Sequence, residues 1–120
     1  IMEDNRKEQI EALEVLTDFN KRLIKNVKIV VKELSGARLE DTDNFIKSIV
    51  DAMNWEIQVM NGTMDLLNEG EKRIDKEAFN EKILALGNAI NAKQDEEMAK
   101  AFEDLIPYFE NLGSAAEAVI

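Results

Sequence analysis

Apolar residues in the first part of the chain recur with the period of an α-helix. One stripe advances in alternating steps of three and four residues and is interrupted once, at Asn20. Its members are Leu13, Leu16, Leu23, Val27, Val30 and Leu34. The stripe predicts one long helix from about Glu3 to Leu34. Ser35-Gly36 is a suitable end, because glycine readily adopts the left-handed conformation that closes helices.

A second stripe, spaced four–three without exception, predicts a helix from Thr42 or Asp43 to about Asn68. It consists of Ile46, Val50, Met53, Ile57, Met60, Met64 and Leu67. Asn61-Gly62 is typical of a turn. The unbroken period favours one continuous helix across it, in which Gly62 costs about 1 kcal/mol relative to alanine. Gly70 is the expected stop.

Two shorter helices follow. The third is predicted to begin after Asp75, which can cap it, and its stripe is Phe79, Ile83, Leu86 and Ile90. The fourth is predicted to be capped by Asp95 and to end at Gly113, and its stripe is Met98, Phe102, Leu105, Phe109 and Leu112. Pro107 lies inside this helix and predicts a kink, because proline removes one backbone hydrogen bond.

Two long and two shorter helices with short loops predict an all-α fold. We expect an antiparallel up-and-down helical bundle of about four helices, with the last one kinked at Pro107, in a single domain over residues 1–120. The second helix carries apolar residues over most of its circumference. It is therefore expected either to lie at the centre of the bundle or to offer one apolar face to a partner.

Charge and composition narrow the possible functions. The formal net charge is −10, from 25 acidic and 15 basic residues, which disfavours binding to nucleic acid and to anionic lipid. The chain has no cysteine and no histidine, so thiolate and imidazole chemistry are excluded. No apolar run reaches the roughly 18–20 residues of a membrane helix, and the start does not resemble a signal peptide. We expect a cytoplasmic protein that is not an enzyme, has no cofactor or metal, and inserts into no membrane.

Two surfaces are candidates for binding a protein partner or a second copy. The first is a row on the second helix that lies about opposite its methionine-rich seam: Ala52, Trp55, Val59, Gly62 and Leu66. Tryptophan is favoured at binding hot spots, although such a row can equally be core. The second is a basic strip on the polar face of the first helix, formed by Lys21, Lys25, Lys28 and Lys32. This strip is either a solvated face or a docking site for an acidic surface.

Two polar residues interrupt the apolar stripes and are predicted to be buried. Asn20 lies in the seam of the first helix, where a buried asparagine commonly fixes register. Glu56 lies between the two apolar rows of the second helix. We expect it either to reach solvent or to meet an arginine or lysine, since a buried carboxylate without a cation has a raised pKa. The alternative is an enzyme or small-ligand site built around Glu56.

Several segments together resemble an uncharacterised family of small helical proteins of Gram-positive bacteria. They are Asn54-Trp55, Gln58 to Leu67, Ile74 to Phe79 and Phe102 to Phe109. The resemblance covers roughly the last two-thirds of the chain and implies an all-helical fold and a bacterial source. It implies no activity and no catalytic residues. The leading hypothesis is therefore a non-enzymatic protein–protein interaction module, in the form of an adaptor, a chaperone-like binder or a self-assembling subunit.

Overall fold

The described residues fold into α-helices joined by short connections. The structure is a computed structural model that describes residues 2–120, with the side chains of residues 5–120. Five helices follow one another: α1 (Met2–Leu34), α2 (Thr42–Gly62), α3 (Met64–Leu67), α4 (Lys76–Ala92) and α5 (Asp95–Val119). The predicted all-α class is confirmed, and five helices stand where about four were predicted.

Helix α1 packs closely against both α5 and α2, and α4 packs against α5. Its 33 residues match the 49 Å length of the molecule. The side-chain amide nitrogen of Gln9 donates to the carbonyl of Gly62, while a carboxylate oxygen of Glu33 accepts from the Thr42 hydroxyl at the other end, so α1 and α2 run in opposite directions. The predicted central position of the second helix is wrong, since α2 packs closely along α1 but not along α4 or α5.

The second helix is not continuous, contrary to the prediction. It ends at Gly62, and α3 starts at Met64 after one intervening residue, Thr63. At the break, the amide of Thr63 donates to the carbonyl of Met60, three residues back, and the Thr63 hydroxyl donates to the carbonyl of Val59. The carbonyl of Gly62 accepts from Gln9 instead. Because the interruption is so short, Met60 and Leu67 remain buried on one seam, and the apolar period gave no sign of the break.

The last helix is longer than predicted, because Gly113 does not end it. α5 runs through Pro107 and Gly113 to Val119. Gly113 serves a packing purpose, since a Cβ atom at this position would lie 2.5 Å from Oδ1 of Asn20 on α1. A glycine in a helix is therefore the means by which α5 approaches α1 closely, rather than a stop signal.

The capping prediction is correct for α4 and wrong for α5. The Asp75 side chain accepts a hydrogen bond from the amide of Ala78 at 3.1 Å, as a helix cap should. Asp95 was predicted to cap the next helix, but it is the first residue of α5 and its carboxylate binds Arg38. The α1–α2 connection is thereby tied to the start of α5.

Candidate functional site

The apolar row of the second helix is divided between interior and surface. Leu66 is buried, Ala52 and Val59 are half-buried, and Gly62 is exposed. Trp55 retains 37% of its surface exposed. The row therefore belongs partly to the core and partly to the surface, and Trp55 lies at the boundary between them.

Trp55 does not stand alone on this surface. Its ring packs against that of Phe19 on α1, with 5.3 Å between the centroids and a 60° tilt, and the guanidinium of Arg22 lies 5.4 Å from the Phe19 centroid. Val15, one turn before Phe19 on the same helix, is 56% exposed. We call Val15, Phe19, Trp55 and Val59 the Trp55 face. Sequence reasoning missed Phe19 and Val15, although their four-residue spacing outside the buried stripe was a visible signal.

The four lysines of the basic strip are all exposed along α1. Five salt bridges join described residues, and none of them involves Lys21, Lys25, Lys28 or Lys32. Their positions follow the helical period on the side of α1 that faces solvent. Arg22 follows Lys21 directly, so the strip borders the Trp55 face.

Asn20 and Glu56 meet inside the protein. Asn20 is 4% exposed and Glu56 is fully buried. The Asn20 amide nitrogen donates to Oε1 of Glu56 at 2.9 Å and to the carbonyl of Phe109 at 3.0 Å, which joins α1, α2 and α5. The expectation that Glu56 reaches solvent or meets a base is wrong, because its described partner is a neutral amide.

The second carboxylate oxygen of Glu56, Oε2, is buried without a hydrogen-bond partner. Burial raises the pKa of Glu56 to about 7 from its ordinary value of 4.5, and the hydrogen bond from Asn20 offsets this only in part. The group can exchange a proton near neutral pH. The ion pairs of the described residues bring no cation to it.

Within the described part of the chain, acidic side chains form no group of three or more that could hold a metal ion. None of the helices in residues 2–120 combines the length and the apolar character needed to cross a membrane.

These features define a small all-helical protein with one partly exposed aromatic face and one buried polar network. Residues 11–115 match the family model of a domain of unknown function, DUF8042. The chain belongs to this family, and the predicted membership of an uncharacterised family is confirmed. No curated protein and no solved structure matches the chain.

Proposed function

We propose that this protein is a non-enzymatic protein–protein interaction module, built as an up-and-down helical bundle, whose Trp55 face binds the partner. The observation that carries the proposal is the pairing of Trp55 with Phe19 on a surface that nothing else in the chain covers fully. Buried aromatic residues supply much of the binding energy at interfaces, and tryptophan is the most enriched of them.

The shape around Trp55 suits a close contact. Ser48, Ala52 and Gly62 lie near it on α2, and their small side chains allow another helix to approach. A Cβ atom added at Gly62 would meet nothing within 4 Å, so this part of the surface is open. A partner would gain apolar contact without displacing a side chain of this protein.

The charge beside the face indicates the chemistry of the partner. Arg22 borders the rings, and the basic strip continues along α1, although the whole chain carries a net charge of −10. A partner with an apolar centre and an acidic margin would complement both features. A second copy of this chain is acidic overall, so self-association in which an acidic surface of one copy meets the Trp55 face of the other is the simplest form of the proposal.

Sedimentation velocity over a range of concentrations tests self-association. We expect the parent chain to form a dimer or larger species whose stability falls as salt is raised, because the basic margin contributes. Trp55→Ser should shift the distribution to monomer. Leu84→Ser is the matched control, since Leu84 is 66% exposed but lies on α4, and it should leave the distribution unchanged.

A parent chain that stays monomeric at every concentration would exclude a second copy as the partner and leave only a different acidic protein. Equal effects of Trp55→Ser and Leu84→Ser would show that general surface hydrophobicity drives association. Circular dichroism of both variants establishes that each retains the helical fold.

The alternative function, an enzyme or ligand site around Glu56, is supported by its raised pKa alone. Catalysis by a carboxylate requires access to a substrate and a second group that takes part in the reaction. Glu56 is fully buried, and Asn20 is already committed to it and to Phe109. A structural role in joining three helices accounts for these contacts, so we favour the interaction module.

A further inference from the structure

A cleft opens at the end of the molecule where α2 begins and α4 ends. It is open to solvent on one side and has a volume of about 600 Å³, which lies in the size range of small-molecule sites. Its apolar lining comes from three helices: Ile46 and Val50 of α2, Ile90 of α4 and Met98 of α5. The cleft exists because α2 and α4 do not pack closely together. It is separate from the Trp55 face, which lies where α1 meets α2.

Basic side chains surround this apolar lining. Arg38, Lys47 and Lys93 line the cleft, against the single acid Asp43. Arg38 is already committed, because it donates to both oxygens of Asp95 and to one oxygen of Asp43. Lys47 and Lys93 are exposed and take part in none of the salt bridges among described residues. Two cationic groups are therefore free to meet an anion.

Lys93 has an unusual backbone for a lysine. It closes α4 in the left-handed conformation, with φ of 55° and ψ of 37°. Elsewhere among residues 2–120, positive φ occurs only at Gly36 and Gly70, where no side chain opposes it. A lysine in this conformation carries backbone strain that glycine would avoid, and its side chain lines the cleft.

We propose that this cleft binds a small amphipathic carboxylate, with its aliphatic chain on the apolar lining and its carboxylate between Lys47 and Lys93. The lining holds no aromatic ring, so it offers a flexible aliphatic chain contact without offering a flat ligand a stacking partner. Because the donors of Arg38 are occupied, Lys47 and Lys93 are the cations that can meet the carboxylate. The inference does not depend on the function proposed for the Trp55 face.

Titration with hexanoate, octanoate and decanoate, followed by methyl chemical shifts, tests the proposal. We expect shifts at Ile46, Val50, Ile90 and Met98, and a Kd that falls about three- to fourfold for each added methylene. Decanol should bind more weakly than decanoate, because it lacks the charge. The fluorescence of Trp55, the one tryptophan in the chain, should not change.

The variant Lys93→Gly distinguishes an effect on decanoate binding from an effect on the stability of the fold. Glycine suits the left-handed position, so we expect an equal or higher Tm together with about three- to tenfold weaker binding of decanoate and unchanged binding of decanol. Lys47→Gln should weaken decanoate similarly. Lys28→Gln, on the basic strip of α1, is the matched control and should leave the Kd unchanged.

Three results would overturn the proposal. The first is equal affinity for the three carboxylates, or for decanoate and inorganic sulfate, because either would describe an anion site without an apolar component. The second is decanoate binding that is indifferent to both Lys93→Gly and Lys47→Gln. The third is a set of shifts centred on the Trp55 face, which would indicate general adsorption to exposed apolar surface.

Discussion

At the scale of single residues, Glu56 is the most deeply buried acidic side chain in the described part of the chain. It is a fully buried carboxyl group with one oxygen bound to Asn20 and the other without a partner. A charge in such a place is costly, and its pKa of about 7 reflects that cost. The residue therefore opposes folding above neutral pH, while its neutral form joins α1, α2 and α5.

Glu56→Gln should remove a specific pH dependence of stability. Because the pKa is raised in the folded state from 4.5 to about 7, the folded protein holds this proton more tightly than the unfolded chain. The resulting stability is complete below pH 4.5 and is lost as the pH rises to about 7. Between pH 5 and pH 8 we expect the parent to lose about 2–3 kcal/mol relative to the variant, measured by urea unfolding.

Glu103→Gln is the control for the loss of one negative charge, since Glu103 is exposed on α5. Its stability should follow the parent at every pH. A Glu56→Gln curve parallel to that of the parent would show that the pKa of Glu56 is ordinary in the folded protein and that the described burial of its carboxylate is wrong.

Gly113 and Gly87 should respond oppositely to alanine. A Cβ at Gly113 would lie 2.5 Å from Asn20, whereas at Gly87, in α4, it would meet nothing within 4 Å. We expect Gly113→Ala to destabilise by about 1–3 kcal/mol through overpacking. Gly87→Ala should stabilise by up to about 1 kcal/mol through helix propensity. Thermal or urea unfolding distinguishes them, and equal effects would contradict the close approach of α1 and α5.

At the scale of the helices, the apolar period predicts which segments are helical but not where each helix ends. The stripes of Leu13 to Leu34 and Met98 to Leu112 lie buried in α1 and α5. The ends depend on local hydrogen bonds instead. Thr63 ends α2 through its hydroxyl, and Asp95 binds Arg38 rather than its own helix. The apolar period predicts neither the end of α2 nor the contact between Asp95 and Arg38.

Asp75 and Asp95 provide a test of that distinction. Asp75→Ala removes a capping hydrogen bond to Ala78 and should cost about 1 kcal/mol, with little dependence on salt. Asp95→Ala removes a partly exposed ion pair with Arg38 and should cost less than about 1 kcal/mol, decreasing further at high salt. Unfolding at low and high ionic strength measures both. If the stability loss from Asp75→Ala depended on salt and the loss from Asp95→Ala did not, the roles assigned to the two residues would be contradicted.

At the scale of the whole molecule, the arrangement of helices determines which surfaces remain open. α2 packs closely along α1 but not along α4 or α5, and two openings result. One is the Trp55 face beside α1, and the other is the cleft toward α4. The sequence predicted an apolar second face on α2. It could not predict the contribution of Phe19, because that pairing depends on how α1 and α2 are aligned.

The same limit applies to the buried network. The sequence identified Asn20 and Glu56 separately, since each interrupts an apolar stripe. Their contact joins residues 36 positions apart and depends on Gly113 and Phe109 of a third helix. An arginine or lysine partner for Glu56 was the ordinary expectation from charge alone. The packing of α1, α2 and α5 places the side-chain amide of Asn20 beside Glu56 instead.

Position-specific photo-crosslinking in the host cell tests the central claim, that the Trp55 face is a protein-binding surface. A photoreactive side chain placed at Val15, an exposed member of the face, or at Ser48, exposed on α2 beside it, should give one discrete crosslinked product of the same partner from both positions. The same group at Leu84 or Gly87, exposed on α4, should give none. A product of twice the chain mass would identify a second copy. Equal crosslinking from all four positions, or none from Val15 and Ser48, would contradict the claim.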